Sequence, residues 1–165
     1  MEERVLTELG GGLWHTTHEN RFKLILASGA ILPEPEIPNR DRWKTSMGER
    51  YYPYVRTLGG VSLFDFSGFD RARYSEECPL STWWEFVPFR SEWGHAVWIE
   101  IDRVQVALNF ISGVDIVARW KSDGAYRHTI MPYIEAAHLG SIPRSAFKRA
   151  FLVREGDEQP EALDC

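Results

Sequence analysis

The apolar positions change period along the chain, and each change predicts an element. Gly10, Gly11 and Gly12 separate a polar lead-in of ten residues from a predicted strand at Leu13–Thr16. A helix is expected from about Thr17 to Ser28. Phe22, Ile25 and Leu26 fall on one helical face, Thr16 and Glu19 have capping-box spacing, and Gly29 supplies the stop. Ile31–Leu58 keeps no period and carries Pro33, Pro35, Pro38 and Pro53, so a long irregular segment is expected. Gly60–Phe66 reads as a strand after a glycine turn, and the polar stretch Ser67–Cys78 as a loop. Leu80–Phe89 predicts a short helix capped near Ser81 or Thr82, Ala96–Ile101 a strand, and Asp102–Phe110 a helix ended near Gly113. Val114–Trp120 fits either a strand or the start of a helix. Tyr133–Ala137 and Ala150–Arg154 read as strands, with a short helix between them at Pro143–Lys148. From Gly156 the chain is acidic and poor in apolar residues, which predicts a loose tail. Short strands interspersed with few helices indicate one α+β domain over residues 1–155, followed by a flexible acidic tail over 156–165.

Composition narrows the class. At 165 residues, 44% hydrophobic and 26% charged, the chain is neither disordered, collagen-like nor a coiled coil. It contains no apolar run of membrane-spanning length, so no membrane association is expected. Its first residues lack an apolar signal core, so a cytoplasmic location is expected. Nineteen Lys and Arg against 24 Asp and Glu leave a net charge of −5, which argues against broad nonspecific binding to nucleic acid but allows a local basic cleft. Cys78 and Cys165 form neither a disulfide framework nor a zinc spacing. Seven tryptophans call for a heavy aromatic core or a stacking surface.

Three groups of residues carry candidate chemistry. His15 ends a predicted strand just before a helix N-terminus, where free N–H groups face anions. His15 and His18 have a spacing that suits a metal, but no third ligand accompanies them, so no metal site is expected. Glu135 lies in the apolar run Tyr133–Ala137, where a charge is costly unless it faces a partner or a cleft. Glu100, in Trp98–Ile101, fits the same description, and the pattern alone does not choose between the two. The segment Ile31–Leu58 interleaves Arg40, Arg42, Lys44, Arg50 and Arg56 with Trp43, Tyr51, Tyr52 and Tyr54. That mixture suits a planar ligand bearing phosphate, and equally a surface loop pinned by aromatic packing.

The run from Leu13 to Asn20, followed by Leu24–Gly29, resembles the opening of the ADP-ribosyltransferase superfamily. It is most similar to the DNA-targeting toxins of toxin–antitoxin systems, which open with His-x-Thr-His. Ile134–Ala137, Ile142-Pro143 and Phe151–Val153 resemble that family's late strand with its catalytic glutamate, and Gly60–Phe66 stands where the family has its middle strand. The chain departs from the toxins in having Pro132 where an arginine precedes the glutamate, and Ser67–Asp70 in place of their Pro-Arg-Ser-Pro-Met tail. The resemblance implies split antiparallel sheets around an NAD cleft, with short flanking helices. It implies an enzyme that cleaves the nicotinamide glycosidic bond of NAD and transfers ADP-ribose to a macromolecule, either a nucleic-acid base or a protein, with an antitoxin as a further partner. Glu135 would bind the nicotinamide-ribose hydroxyl and stabilise the transition state. His15 would bond a ribose hydroxyl, the Thr16 backbone would meet the nicotinamide amide, and Thr17 and Asn20 would help seat the dinucleotide. Arg50 or Arg56 would hold the pyrophosphate, and Phe64 or a loop tyrosine would stack on nicotinamide. His15 and Glu135 are therefore expected to line one cleft. The alternatives are an RNA 2′-phosphotransferase-like enzyme and an inactive nucleotide-binding module of the same fold.

Overall fold

Runs of β-branched and aromatic residues become strands here, and Asp or Ser caps begin several of the helices between them. The computed structural model describes residues 1–165. In chain order its elements are α1 (Glu2–Leu9), β1 (Leu13–Thr17), α2 (Glu19–Ser28), β2 (Ala30–Ile31), α3 (Tyr54–Thr57), β3 (Gly60–Asp65), α4 (Arg71–Glu77), β4 (His95–Ile101), α5 (Arg103–Val106), β5 (Phe110–Ile111), α6 (Gly113–Ser122), β6 (Glu135–Leu139), β7 (Ile142–Pro143), β8 (Phe147–Arg154) and β9 (Glu161–Leu163). The architecture is α+β. One seven-stranded sheet runs in the order β5-β6-β3-β1-β4-β8-β9, antiparallel at every pairing. β2 and β7 form a separate two-residue ladder. No helix is long and apolar enough to cross a membrane.

Where split antiparallel sheets are expected, the main sheet is continuous through a short β1–β3 pairing and opens at its centre. β1 pairs with β4 from Trp14 to Thr17, and β3 pairs with β6 from Gly60 to Phe64. Between β1 and β3 only Leu13↔Asp65 and Trp14↔Phe64 are matched. Beyond that point the two central strands part and leave a cleft.

Side-chain alternation along the strands divides the core. One face is aromatic: Trp14, Phe64, Phe66, Trp83, Phe86, Trp98 and Phe151 pack with Val5 and Leu9 of α1. The other face is aliphatic, with Leu13, Leu63, Val97, Ile99 and Leu152 under Phe22 of α2. A third cluster seats Ile116 and Val117 of α6 against Tyr54 and Val55 of α3.

Several local expectations are corrected. The polar lead-in is α1, held because Val5 and Leu9 are fully buried. α2 begins at Glu19 with His18 as its cap, since Thr16 and Thr17 remain in β1; Nδ1 of His18 accepts the Asn20 N–H at 3.1 Å. The stretch Ser67–Cys78 contains α4, capped by Asp70, whose carboxylate accepts the Arg73 N–H at 2.8 Å. Only Tyr74 of that helix is buried, so hydrophobic period had nothing to reveal. Val114–Trp120 is helical, within α6, and Ser112 caps it. Gly113 therefore opens α6 and does not close the preceding helix. The region Pro143–Lys148 is not a helix: a single 3-10 turn at Arg144–Ala146 joins the end of β7 to the start of β8. The expected loose tail includes β9, which pairs with β8 from Ala150 to Leu152. Gly29 ends α2 as expected, in the left-handed conformation at φ 77°.

Candidate functional site

The cleft between β1 and β3 encloses about 780 Å³, within the usual range of small-molecule sites. β1 brings His15, Thr16 and Thr17 to it, β3 brings Ser62 and Phe64, and β6 brings Glu135. α2 adds Arg21, the irregular segment after β2 adds Glu34 and Arg42, and α3 adds Arg56.

Glu135 is the first residue of β6 and is 1% exposed. Ser62 Oγ donates to its Oε1 at 2.7 Å, and the Met131 N–H donates to its Oε2 at 2.9 Å. No cation pairs with it. Burial pushes its pKa up to about 7, against the lowering effect of those two hydrogen bonds. A tight turn presents Met131 to the carboxylate: Ile134 N–H donates to Pro132 O at 2.8 Å and Glu135 N–H to Met131 O at 2.9 Å. Tyr133 holds this turn at φ 65°, a left-handed conformation costly for a bulky residue. Gly113 makes room for it, since a Cβ there would lie 2.0 Å from Tyr133 O.

Glu100 is resolved by the same comparison of partners. Lys148 Nζ and Arg149 Nε each reach its carboxylate at 2.7 Å. Burial alone would raise its pKa, but these two cations hold it below the ordinary value. Glu100 is a neutralised ion-pair residue, whereas Glu135 is a buried acid without a counter-ion, the pattern that marks functional sites.

His15 Nδ1 lies 3.1 Å from the Ser62 carbonyl, which only accepts, so Nδ1 carries the proton and Nε2 is free to accept. Burial lowers the imidazole pKa, which keeps the ring neutral. Strand register puts His15 with Ile99 on the aliphatic face and Glu135 with Phe64 on the aromatic face. The two line one cleft because the sheet is open between them, and Ser62 touches both: its carbonyl meets the imidazole and its hydroxyl meets the carboxylate.

The remaining expected site residues divide. Thr16 and Thr17 line the cleft, and Thr16 Oγ1 is buried with no hydrogen-bond partner. Phe64 lines it too, but its ring is packed against Phe86 and Trp98 at centroid distances of 5.2 and 5.5 Å, so it forms the wall and is not a free stacking plate. Arg56 lines the cleft with Nη1 buried and unpartnered. Arg50 does not line it, because it sits exposed on a single 3-10 turn at Glu49–Tyr51. Asn20 lies outside the cleft on a second groove, its backbone N–H committed to His18.

That second groove encloses about 510 Å³ and carries Arg21, Arg40, Arg42, Lys44 and Arg90 against Asp41 and Glu92. Trp93 lies beneath the Arg21 and Arg90 guanidinium groups, at 5.5 and 5.2 Å from its ring centroid. Arg21, Arg42, Trp43 and Trp93 line both cavities, so the groove runs into the cleft. His18 lines this groove and not the cleft, and meets His95 edge to face at a ring-centroid distance of 4.2 Å. No three His, Cys, Asp or Glu side chains gather at one point.

Sequence reasoning missed Ser62, Arg21 and the cleft role of Arg42. A serine amid the apolar run Val61–Phe64 was a readable signal, being the one polar residue among buried strand neighbours. No protein-family model matches this chain, and no curated protein matches it.

Proposed function

We propose that this chain is an NAD-dependent ADP-ribosyltransferase. The observation that carries the reading is the meeting of His15 and Glu135 across an opened antiparallel sheet, with Ser62 joined to both. The expected family fold wraps NAD in such a split. The donor set fits a dinucleotide: a neutral imidazole with a free acceptor, an unpartnered threonine hydroxyl, three arginines and an uncompensated carboxylate.

NAD would supply a glycosidic bond whose cleavage leaves positive charge on the ribose. Glu135, once ionised, faces that charge from a buried position, where a fixed negative group is most effective. Ser62 and the Met131 N–H orient the carboxylate before the reaction, so no reorganisation is needed. His15 offers Nε2 to a ribose hydroxyl without taking on charge itself. The basic groove supports a phosphate-bearing macromolecule as acceptor, its backbone along Arg40, Lys44 and Arg90 and its modified group entering beside Trp93.

The test is nicotinamide release from NAD by purified protein, with and without single-stranded DNA, RNA or cell lysate, beside Glu135→Gln. Release that falls about 10²–10³-fold in the variant is expected. NAD binding without release in any mixture would make the chain a nucleotide-binding module. The gathering of Arg21, Arg42 and Arg56 favours one second reading, the RNA 2′-phosphotransferase-like enzyme. Release that occurs only with RNA bearing a 2′-phosphate would select it.

A further inference from the structure

Arg42 and Arg56 enter the cleft from different elements and converge on one carboxylate. Arg56 donates through Nε and Nη2 to both oxygens of Glu34, at 2.8 and 3.0 Å, and Arg42 Nη1 reaches Glu34 Oε2 at 2.5 Å. The arrangement is lopsided in exposure. The arginine side chains are 14% and 15% exposed, whereas that of Glu34 is 57% exposed. It is lopsided in support as well. Arg56 stacks over Tyr52 at 3.9 Å and donates to Asn39 Oδ1 at 3.1 Å, and Arg42 Nη2 donates to Pro33 O at 3.0 Å. Glu34 stands between Pro33 and Pro35 in a segment without regular structure, and its carboxylate bonds to nothing but these two arginines. Two guanidinium charges thus share one carboxylate, and Arg56 Nη1 remains buried without an acceptor. Glu36 also lines the cleft but pairs with neither arginine.

Arg56 is already expected at a diphosphate by resemblance; we infer that Arg42 joins it in one anion subsite, and that Glu34 is a resident carboxylate that occupies this subsite until a diphosphate displaces it. Arginine forks match phosphate oxygens as well as they match carboxylate. A diphosphate brings at least two negative charges to the pair, where Glu34 brings one. It also offers more oxygens than Glu34, enough to reach the unpartnered Nη1. The half-exposed carboxylate can swing out to solvent, whereas the two arginines stay in place on Tyr52, Asn39 and the Pro33 carbonyl. The subsite stands on these contacts alone; its assignment to the diphosphate of NAD rests on the transferase reading.

The experiment is calorimetric titration of the full chain with inorganic pyrophosphate, for wild type, Glu34→Gln and Glu34→Ala. Removing the resident charge is expected to tighten pyrophosphate binding about tenfold in both variants. Adding Arg56→Ala to Glu34→Gln is expected to abolish it. Thermal melting confirms that each variant is folded, which the exposure of Glu34 favours. Equal or weaker binding in both Glu34 variants overturns the proposal and makes Glu34 a support for the arginines; so does binding that survives Arg56→Ala. Nicotinamide release measured on the same preparations separates the two claims. Tightened pyrophosphate binding without release rejects the transferase and keeps the subsite, and release without tightening does the reverse.

Discussion

Glu135 couples stability to pH through one proton, and under the proposed transferase reading it couples activity as well. Its ordinary value is 4.5 and the fold raises it to about 7. Between those values the folded chain holds a proton that the unfolded chain has shed, so stability falls as pH rises through that window. Above it the folded chain carries a buried, unpaired carboxylate. Glu135→Gln is therefore expected to be more stable than wild type at pH 8, by as much as about 3 kcal/mol, with the gain vanishing near pH 4. Denaturant melts at the two pH values measure this, and an equal effect at both would mean that Glu135 is not protonated in the fold. In the proposed transferase the same titration is expected to set the rate. Nicotinamide release under kcat/KM conditions is expected to climb tenfold per pH unit below about 7 and to level above it. His15 adds no second limb near neutrality, because burial keeps it neutral.

At the scale of elements, the site depends on how β6 begins. The turn Met131–Glu135 returns a backbone N–H to the carboxylate only because Tyr133 takes a left-handed conformation against the N-terminus of α6. Gly113 is the contact point. Gly113→Ala would drive a methyl group into the Tyr133 carbonyl, 2.0 Å away, and neither backbone yields cheaply. A loss of about 2 kcal/mol or more is expected in chemical denaturation. Turnover should fall further than stability explains, since displacing the turn misplaces Met131 and the carboxylate together. A neutral result would show that α6 shifts freely and does not brace the site.

Over the whole molecule, charge is segregated. The chain carries −5 overall, yet the groove that runs into the cleft holds five cations against two carboxylates. Binding of a single-stranded oligonucleotide is expected to weaken steeply with salt. In the double variant Arg40→Ala/Lys44→Ala the slope of log affinity against log salt should drop by about one for each phosphate that is no longer neutralised. Fluorescence anisotropy across a salt series reads this directly, and an unchanged slope would put the polyanion elsewhere on the surface.

Strand and helix period determined much of this molecule locally. β1, β3, β4 and α2 stand close to where apolar spacing and glycine placed them, and Val5 and Leu9 already had helical spacing in the segment read as a lead-in. Glu135 and Glu100 were equally plausible because each is a charge in an apolar strand, and a strand pattern says nothing of what lies opposite. Tertiary structure decided between them by putting Lys148 and Arg149 beside one and only a hydroxyl and an amide beside the other. It also decided that His15 and Glu135 meet, which requires two strands far apart in sequence to part after a two-residue pairing. Periodicity is a property of neighbours along the chain. Counter-ions, orphaned arginine donors and the opening of a sheet are properties of neighbours in space, set only when the cores on its two faces have packed.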